Sequence, residues 1–331
     1  MTRPRRTLPV SACALALVLA SPLGAVAQPA AWPAKPVTVV VPFAAGGSVD
    51  SAARIVLAKL GERVKQTFVV DNTAGAAGTI GTQKAVKAPA DGYTLLFAVS
   101  SPITVAPVVK PSTVKYDAFK ELVPVAVVAT SPFVLVAGPK TPASTTAELI
   151  DLAKKQPGKL DYGTDGVGTS MHLTAELIKL KAGIDVLHVP YKSGPQVLTE
   201  VSSGLLDLAV MPVVLVQPFI KDGKVKAIGV TSAERWPSLP DVPPLQATPA
   251  LRGLAIDSWY GLFAPAGTDP AIVARLGREL GEALKDPELV KRMADAGLKA
   301  TSLDAAAFGA LIRKERDDMQ AVVKAAGIQP E

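Results

Sequence analysis

Between Lys35 and Asp50 an uninterrupted β-branched run empties into a glycine turn and then a helical pattern. This strand, loop, helix order restricts the chain to α/β architectures. Val37 to Val41 shows no alternation of polar and apolar residues, as expected of a strand buried on both faces of a parallel sheet. Pro42 ends the run. Gly46 and Gly47 let the backbone turn, and Ser48 suits the start of a helix whose apolar positions are Ala52, Ile55, Val56 and Leu60. The free N–H groups of such a helix start attract anions, and ligands of open α/β sheets bind outside the carboxyl ends of the strands. Taken alone, the turn reads equally well as a plain βα connection.

The N-terminus carries a processing signal. Arg3, Arg5 and Arg6 precede an apolar segment from about Leu8 to Leu23, and Ala25-Val26-Ala27 is a small-x-small cleavage site. Residues 1–27 therefore read as a signal peptide, and the mature, exported chain is expected to begin near Gln28. Val10-Ser11-Ala12-Cys13 is a competing lipoprotein box, but too few apolar residues precede Cys13 to form a signal core. Cys13 is the only cysteine, so a mature chain without it has no thiol, disulfide or thiolate metal site. A chain of 331 residues less this leader is long enough for two domains. Losing three arginines lowers the formal charge from +6 to +3, too mild and dispersed to imply nucleic acid or a membrane surface. No later stretch approaches the ~20 apolar residues needed to span a bilayer.

Further along, the opening pattern recurs. Thr67 to Asp71 reads as a second strand and runs into the glycine-rich turn 72–81, which fits neither G-x-G-x-x-G nor a phosphate loop ending G-K-S/T. Tyr93 to Val99 reads as a third strand ending at Ser100-Ser101-Pro102, which brings two hydroxyls to the same sheet edge. Two apolar runs between Val123 and Val136 flank Thr130-Ser131-Pro132 and read as a crossing into a second lobe. There a helix from Thr145 to Lys155 and a strand near Leu160 to Gly163 lead to the turn Thr164-Asp165-Gly166-Val167-Gly168-Thr169-Ser170, which opens a helix closed by Gly183. Strand Val186 to Val189 delivers Tyr191 and Lys192 to that edge, and Pro195 suits the first turn of a helix ending at Gly204. Strands are expected at Leu206 to Val210 and Val225 to Thr231, with a helix from Pro212 to Lys221 between them. The proline-rich stretch Trp236 to Pro249 is expected to lie over the surface as an irregular loop. Asp257 to Phe263 reads as the return crossing, and three helices follow over about 270–285, 287–296 and 304–326. The expected organisation is lobe 1 from 28–130 and 256–331 and lobe 2 from 131–255, hinged around a central cleft.

Little in the chain suggests catalysis. The two histidines, His172 and His188, have neither metal-ligand spacing nor a carboxylate partner, so no metal site is expected. A hydrolase would have to pair Ser170 with His172, but residues two apart on a helix do not face one another, and no G-x-S-x-G elbow is present. His172 is read as a first-turn residue at the cleft rim, and His188 as a buried strand residue with a hydrogen-bonded ring. Lys192 either pairs with a ligand acid or stays solvated. Asp50 either complements the helix dipole or accepts a ligand amino or hydroxyl group. Trp259 and Tyr260 are read as hinge and core packing.

Seven segments agree with one family: V-V-P-F-A-A-G-G-S-V-D, V-D-N-T-A-G-A-A-G-T-I-G, A-D-G-Y-T-L-L, H-L-T-A-E-L, H-V-P-Y-K-S-G-P, V-T-S-A-E-R and W-Y-G-L-F-A-P-A-G-T-D-P. In this order, over about residues 32–328, the chain resembles the Bug family, the periplasmic substrate-binding receptors of tripartite tricarboxylate transporters. The resemblance implies a type II periplasmic binding protein fold and a small carboxylate held by backbone amides and hydroxyls. The implied ligand-binding positions are Phe43, Ala44, Gly46, Gly47 and Asp50 in the first turn, and Gly75, Ala76 and Gly78 in the second. Ser100 follows the third strand; Thr164, Gly166, Gly168, Thr169 and Ser170 form the turn of lobe 2, with Tyr191 and Lys192 beyond. Two departures join the set. Ala45 stands where relatives usually carry proline, and Met211-Pro212 stands where the family often places an acid and an aromatic. A ligand ammonium would lose a partner there, so plain carboxylates are expected over amino acids. The family further implies a monomeric, non-catalytic receptor with no cofactor and no nucleic-acid partner, which serves membrane transporter subunits transiently. A sensing subunit acting through a kinase is the alternative, and a secreted hydrolase a further one.

Overall fold

The structure, a computed structural model, describes residues 1–2 and 32–325. The expected signal peptide cleavage site and Cys13 lie outside the described residues. The β-branched run Val37–Val41 forms β1, followed by α1 (Ser48–Val64), β2 (Phe68–Asn72), α2 (Thr79–Val86) and β3 (Thr94–Ala98). β2 and β3 flank β1 in parallel. A single π turn over Ser101–Val105 leads into the short helices α3 (Ala106–Val109) and α4 (Ala118–Glu121), and then into β4 (Leu122–Ala137). There follow α5 (Thr146–Lys155), β5 (Asp161–Thr164), α6 (Ser170–Ala182), β6 (Leu187–Pro190), α7 (Gly194–Ser203), β7 (Leu208–Pro212), α8 (Val213–Lys221) and β8 (Lys226–Val230). The chain returns through β9 (Asp257–Pro265) and ends in α9 (Pro270–Ala283), α10 (Pro287–Asp295), β10 (Lys299–Leu303) and α11 (Ala305–Ala325).

β4 organises the whole molecule. Its first part pairs antiparallel with β9 on one side and β10 on the other; its last part pairs antiparallel with β7 and β8. β5 joins β6 and β7 in parallel. The result is one mixed sheet in two halves, β2-β1-β3-β9-β4 and β4-β7-β5-β6. The apolar runs are unbroken because successive side chains serve opposite faces. Val37, Val39 and Val41 join Leu95 and Phe97 in a core with Leu60, Leu276 and Leu280, whereas Val40, Leu96 and Ala98 join Phe263 and Phe308 on the other face. A separate core, from Phe133 to Leu254, fills the second half. Burying such side chains is worth about 1.5–3 kcal/mol each relative to exposure.

Several local expectations change. Trp236 to Pro249 lies over the surface as expected, with most of its prolines exposed, but it is anchored from within. Trp236, Leu239, Val242 and Leu245 are all buried in the second core, so the prolines shape a packed cover. β10 was not apparent in the sequence, and neither was the helical segment 101–109. α11 also crosses between the halves: Val323 and Met319 pack with Leu173 of α6 and with Val105 and Val109. Among the described residues no helix is long and apolar enough to cross a membrane.

Candidate functional site

The carboxyl ends of β1, β2 and β3 face those of β5 and β6 across a cavity of about 510 Å³, a size typical of small-molecule sites. One wall comes from the loop after β1 with the start of α1, the turn before α2, and Ala106, Lys110 and Thr113 beyond β3. The other comes from 165–167, Met171, 191–195, Pro212 and Leu215.

The first loop is held from behind. The Gly46 N–H donates to Asp50 Oδ2 at 2.9 Å, and Arg54 Nε donates to both carboxylate oxygens at 2.9 and 3.0 Å. Asn72 Nδ2 ties Asp50 Oδ1 to the Phe43 carbonyl, at 3.1 Å to each. Burial alone would raise the Asp50 carboxyl, but the hydrogen bonds from Arg54, Gly46 and Asn72 outweigh it and hold it below its usual range. Asp50 is thus a buried brace for the turn. In the second turn four consecutive residues take positive φ: Gly75 (136°), Ala76 (47°), Ala77 (55°) and Gly78 (89°). Gly78 leaves room for Phe43, whose ring would lie 3.1 Å from an added Cβ, so the two turns pack directly together.

The turn 164–170 is built from hydroxyls and imidazoles. Thr164 Oγ1 meets His188 Nε2 at 2.7 Å and accepts the Gly166 N–H at 3.3 Å. Thr169 caps α6 by accepting the His172 N–H at 3.3 Å, and its own proton goes to the Gly166 carbonyl at 2.9 Å. His172 Nδ1 accepts the Gly168 N–H at 3.3 Å. The rings of His172 and His188 stack at 4.3 Å, and His188 stacks on Tyr162 at 4.9 Å. Burial, aided by the neighbouring His172, pushes His188 down to about 4. His172 is therefore a buried support and not a rim residue, and His188 is only half-buried. Ser170 turns away from His172. Its Oγ meets Ser100 Oγ at 2.7 Å and Ser101 Oγ at 3.0 Å, joining the end of β3 to the start of α6.

Of the expected positions, Phe43, Ala44, Gly47, Gly75, Ala76, Gly78, Gly166, Tyr191 and Lys192 line the cleft. Ala45 and Gly46 are exposed but off its wall, while Asp50, Ser100, Thr164, Gly168, Thr169 and Ser170 stand behind it as supports. Met211, expected to face the ligand, is fully buried in the second core and does not line the cleft, because alternation along β7 turns it inward. Lining residues not singled out from the sequence include Asp165, Lys110, Met171 and Leu215. Asp165 sat in plain view in a turn read only for its glycines and hydroxyls. Lys110 arrives through the helical segment that the sequence concealed. Among the described residues Lys192 has no ion-pair partner, and no cluster of His, Cys, Asp or Glu could hold a metal ion.

Residues 52–328 match the family model described as "Tripartite tricarboxylate transporter family receptor". The chain is 36% identical to the protein BugT of Bordetella pertussis over 269 residues, 80% of this chain and 81% of that one. The fold superposes with a TM-score of 0.88 on R. palustris Rpa4515, solved with adipate, at 31% identity, covering 91% of this chain and all of that one. It superposes with a TM-score of 0.82 on MatC (Rpa3494) from Rhodopseudomonas palustris, solved with malate bound, at 29% identity over 88% of this chain and all of that one.

Proposed function

The chain belongs to the tripartite tricarboxylate transporter receptor family, and from that premise we propose that it captures a small carboxylate in the cleft between its two halves. The observation that carries this reading is the make-up of the cleft. The N-terminus of α1, at Ser48 and Val49, opens on one wall beside the turn 74–78, and Lys110 and Lys192 add positive charge. Each helix N-terminus favours a nearby anion by about 0.3–1 kcal/mol, and more where water is excluded. The solved relatives that carry adipate and malate support the same ligand class.

In this proposal residues 1–27 direct export and are removed, and the mature chain works in the periplasm without catalysis. The halves 32–130 with 256–325, and 131–255, act as lobes that close on the acid by flexing along β4 and β9. The loaded receptor then docks transiently on membrane transporter subunits. Ser170, bonded to two serines and turned from His172, supports a non-catalytic role. Isothermal titration of the mature protein with succinate, malate and adipate tests the proposal. Saturable one-to-one binding of at least one acid is expected; absence of binding to all three overturns it.

A further inference from the structure

Asp165 sits on the wall of the cleft contributed by the second half. Its Oδ1 is shut off from solvent and has no hydrogen-bond partner. The nearby donors are engaged elsewhere. The Thr169 and Thr164 hydroxyls direct their protons to the Gly166 carbonyl at 2.9 and 3.2 Å, and the Gly166 N–H goes to Thr164. The Tyr191 N–H goes to the Thr164 carbonyl at 2.8 Å. A buried carboxylate oxygen without a donor is costly, and a protein group of this kind rejects any ligand that leaves it unpaired. Asp165 lines the cleft as a partly buried residue, so a molecule held there lies against it.

We infer that Asp165 is the specificity-determining residue of the cleft, selecting a small carboxylate that carries a hydrogen-bond donor beside its acid group. This rests on the carboxylate reading proposed above. A plain dicarboxylate brings only lone pairs and like charge to Asp165, whereas a hydroxyl or ammonium brings the missing proton. Lys110 and Lys192, in the same cleft, offset the ligand's own carboxylates. Burial raises the Asp165 carboxyl to about 6, so at pH 8 it is ionised and acts only as an acceptor.

The test is isothermal titration at pH 8 of the full mature protein and of Asp165→Asn and Asp165→Ala with L-malate, L-aspartate and succinate. Malate and succinate share charge and carbon skeleton and differ by one hydroxyl. Malate or aspartate is expected to bind the natural protein roughly 10- to 100-fold tighter than succinate, the range for a hydrogen bond to a charged group. Which of the two it is separates hydroxyl from ammonium. Both variants should bring the preference to within about threefold, with succinate gaining as the like charge is removed. Equal affinities in the natural protein, or an unchanged preference in both variants, overturn the inference while leaving carboxylate capture intact. Failure of every acid to bind overturns both.

Discussion

Asp165, just past the end of β5, and His188, within the neighbouring strand β6, titrate in opposite senses. The Asp165 carboxyl stands at about 6 against an ordinary 3.8, so its contribution to stability is complete below 3.8 and is lost as pH rises through 6. The His188 ring stands at about 4 against 6.5, so its contribution is complete above 6.5 and is lost as pH falls through 4. The Asp165 shift corresponds to about 3 kcal/mol and that of the half-buried His188 to less, because solvent screens it, and over the shared interval from about pH 4 to 6 the two oppose one another. Thermal melts of Asp165→Asn should show stabilisation at pH 8 that disappears near pH 4, while His188→Gln should lose the acid-side destabilisation seen near pH 4. An Asp165→Asn gain of equal size at both pH values would refute the assignment. A second residue-scale expectation concerns Ala77, held at φ 55° on the cleft turn. An L-residue there costs about 1–2 kcal/mol, so Ala77→Gly should raise the melting temperature by a few degrees, and an unchanged or lower value would count against strain at that turn. Neither feature was legible in the sequence, for physical reasons. An Ala-Ala pair carries no left-handed preference to announce itself, and an aspartate beside glycines looks like turn chemistry until its oxygens are traced.

Elements buried on both faces announced themselves. β1, β3 and β4 were legible because nothing polar interrupts them. β10 reads Lys-Ala-Thr-Ser-Leu, is no more than partly buried, and forms only because β4 offers it a free edge. Segment 101–109 hides a helix behind two prolines and the β-branched run Ile103-Thr104-Val105. It is held by burial, with Ile103 and Thr104 fully inaccessible, rather than by propensity. The Thr104 hydroxyl and the Trp259 indole both donate to Glu315 of α11, at 2.8 and 2.9 Å, which fastens this segment and β9 to that helix. β9 also depends on a close approach. A Cβ on Gly261 would stand 2.3 Å from Phe308 Cζ, and Phe308 packs edge-on to Trp259 at 5.0 Å. Gly261→Ala should therefore cost about 1–3 kcal/mol by overpacking. Combining it with Phe308→Leu should cost less than the sum of the two single changes, because both act on one contact. Strict additivity in urea denaturation would show that the ring yields without strain.

At the scale of the whole molecule, β4 and β9 are paired from Leu122↔Pro265 to Pro132↔Asp257, with irregularities between Pro124 and Ala126 and between Val127 and Ala129. Their apolar composition made the two strands legible, but not the further ties between the halves of the sheet. Those ties are the Ser100, Ser101 and Ser170 hydroxyls and the cluster of Leu173, Val105, Val109 and Val323. Both unite residues far apart in sequence, and no local pattern encodes such contacts. If the halves open and close as lobes, these contacts must form and break with the motion and therefore set the fraction of receptor already closed. Apparent affinity falls in proportion to that fraction. Ser170→Ala with Leu173→Ala should consequently enlarge the radius of gyration of the unliganded protein in small-angle scattering. It should also weaken the affinity for the tightest-binding acid, mainly through faster release, while saturating ligand restores the compact radius. Equal radii for variant and natural protein without ligand would mean that the serine contacts and the Leu173 cluster do not hold the halves together, leaving the paired strands β4 and β9 to set the opening on their own.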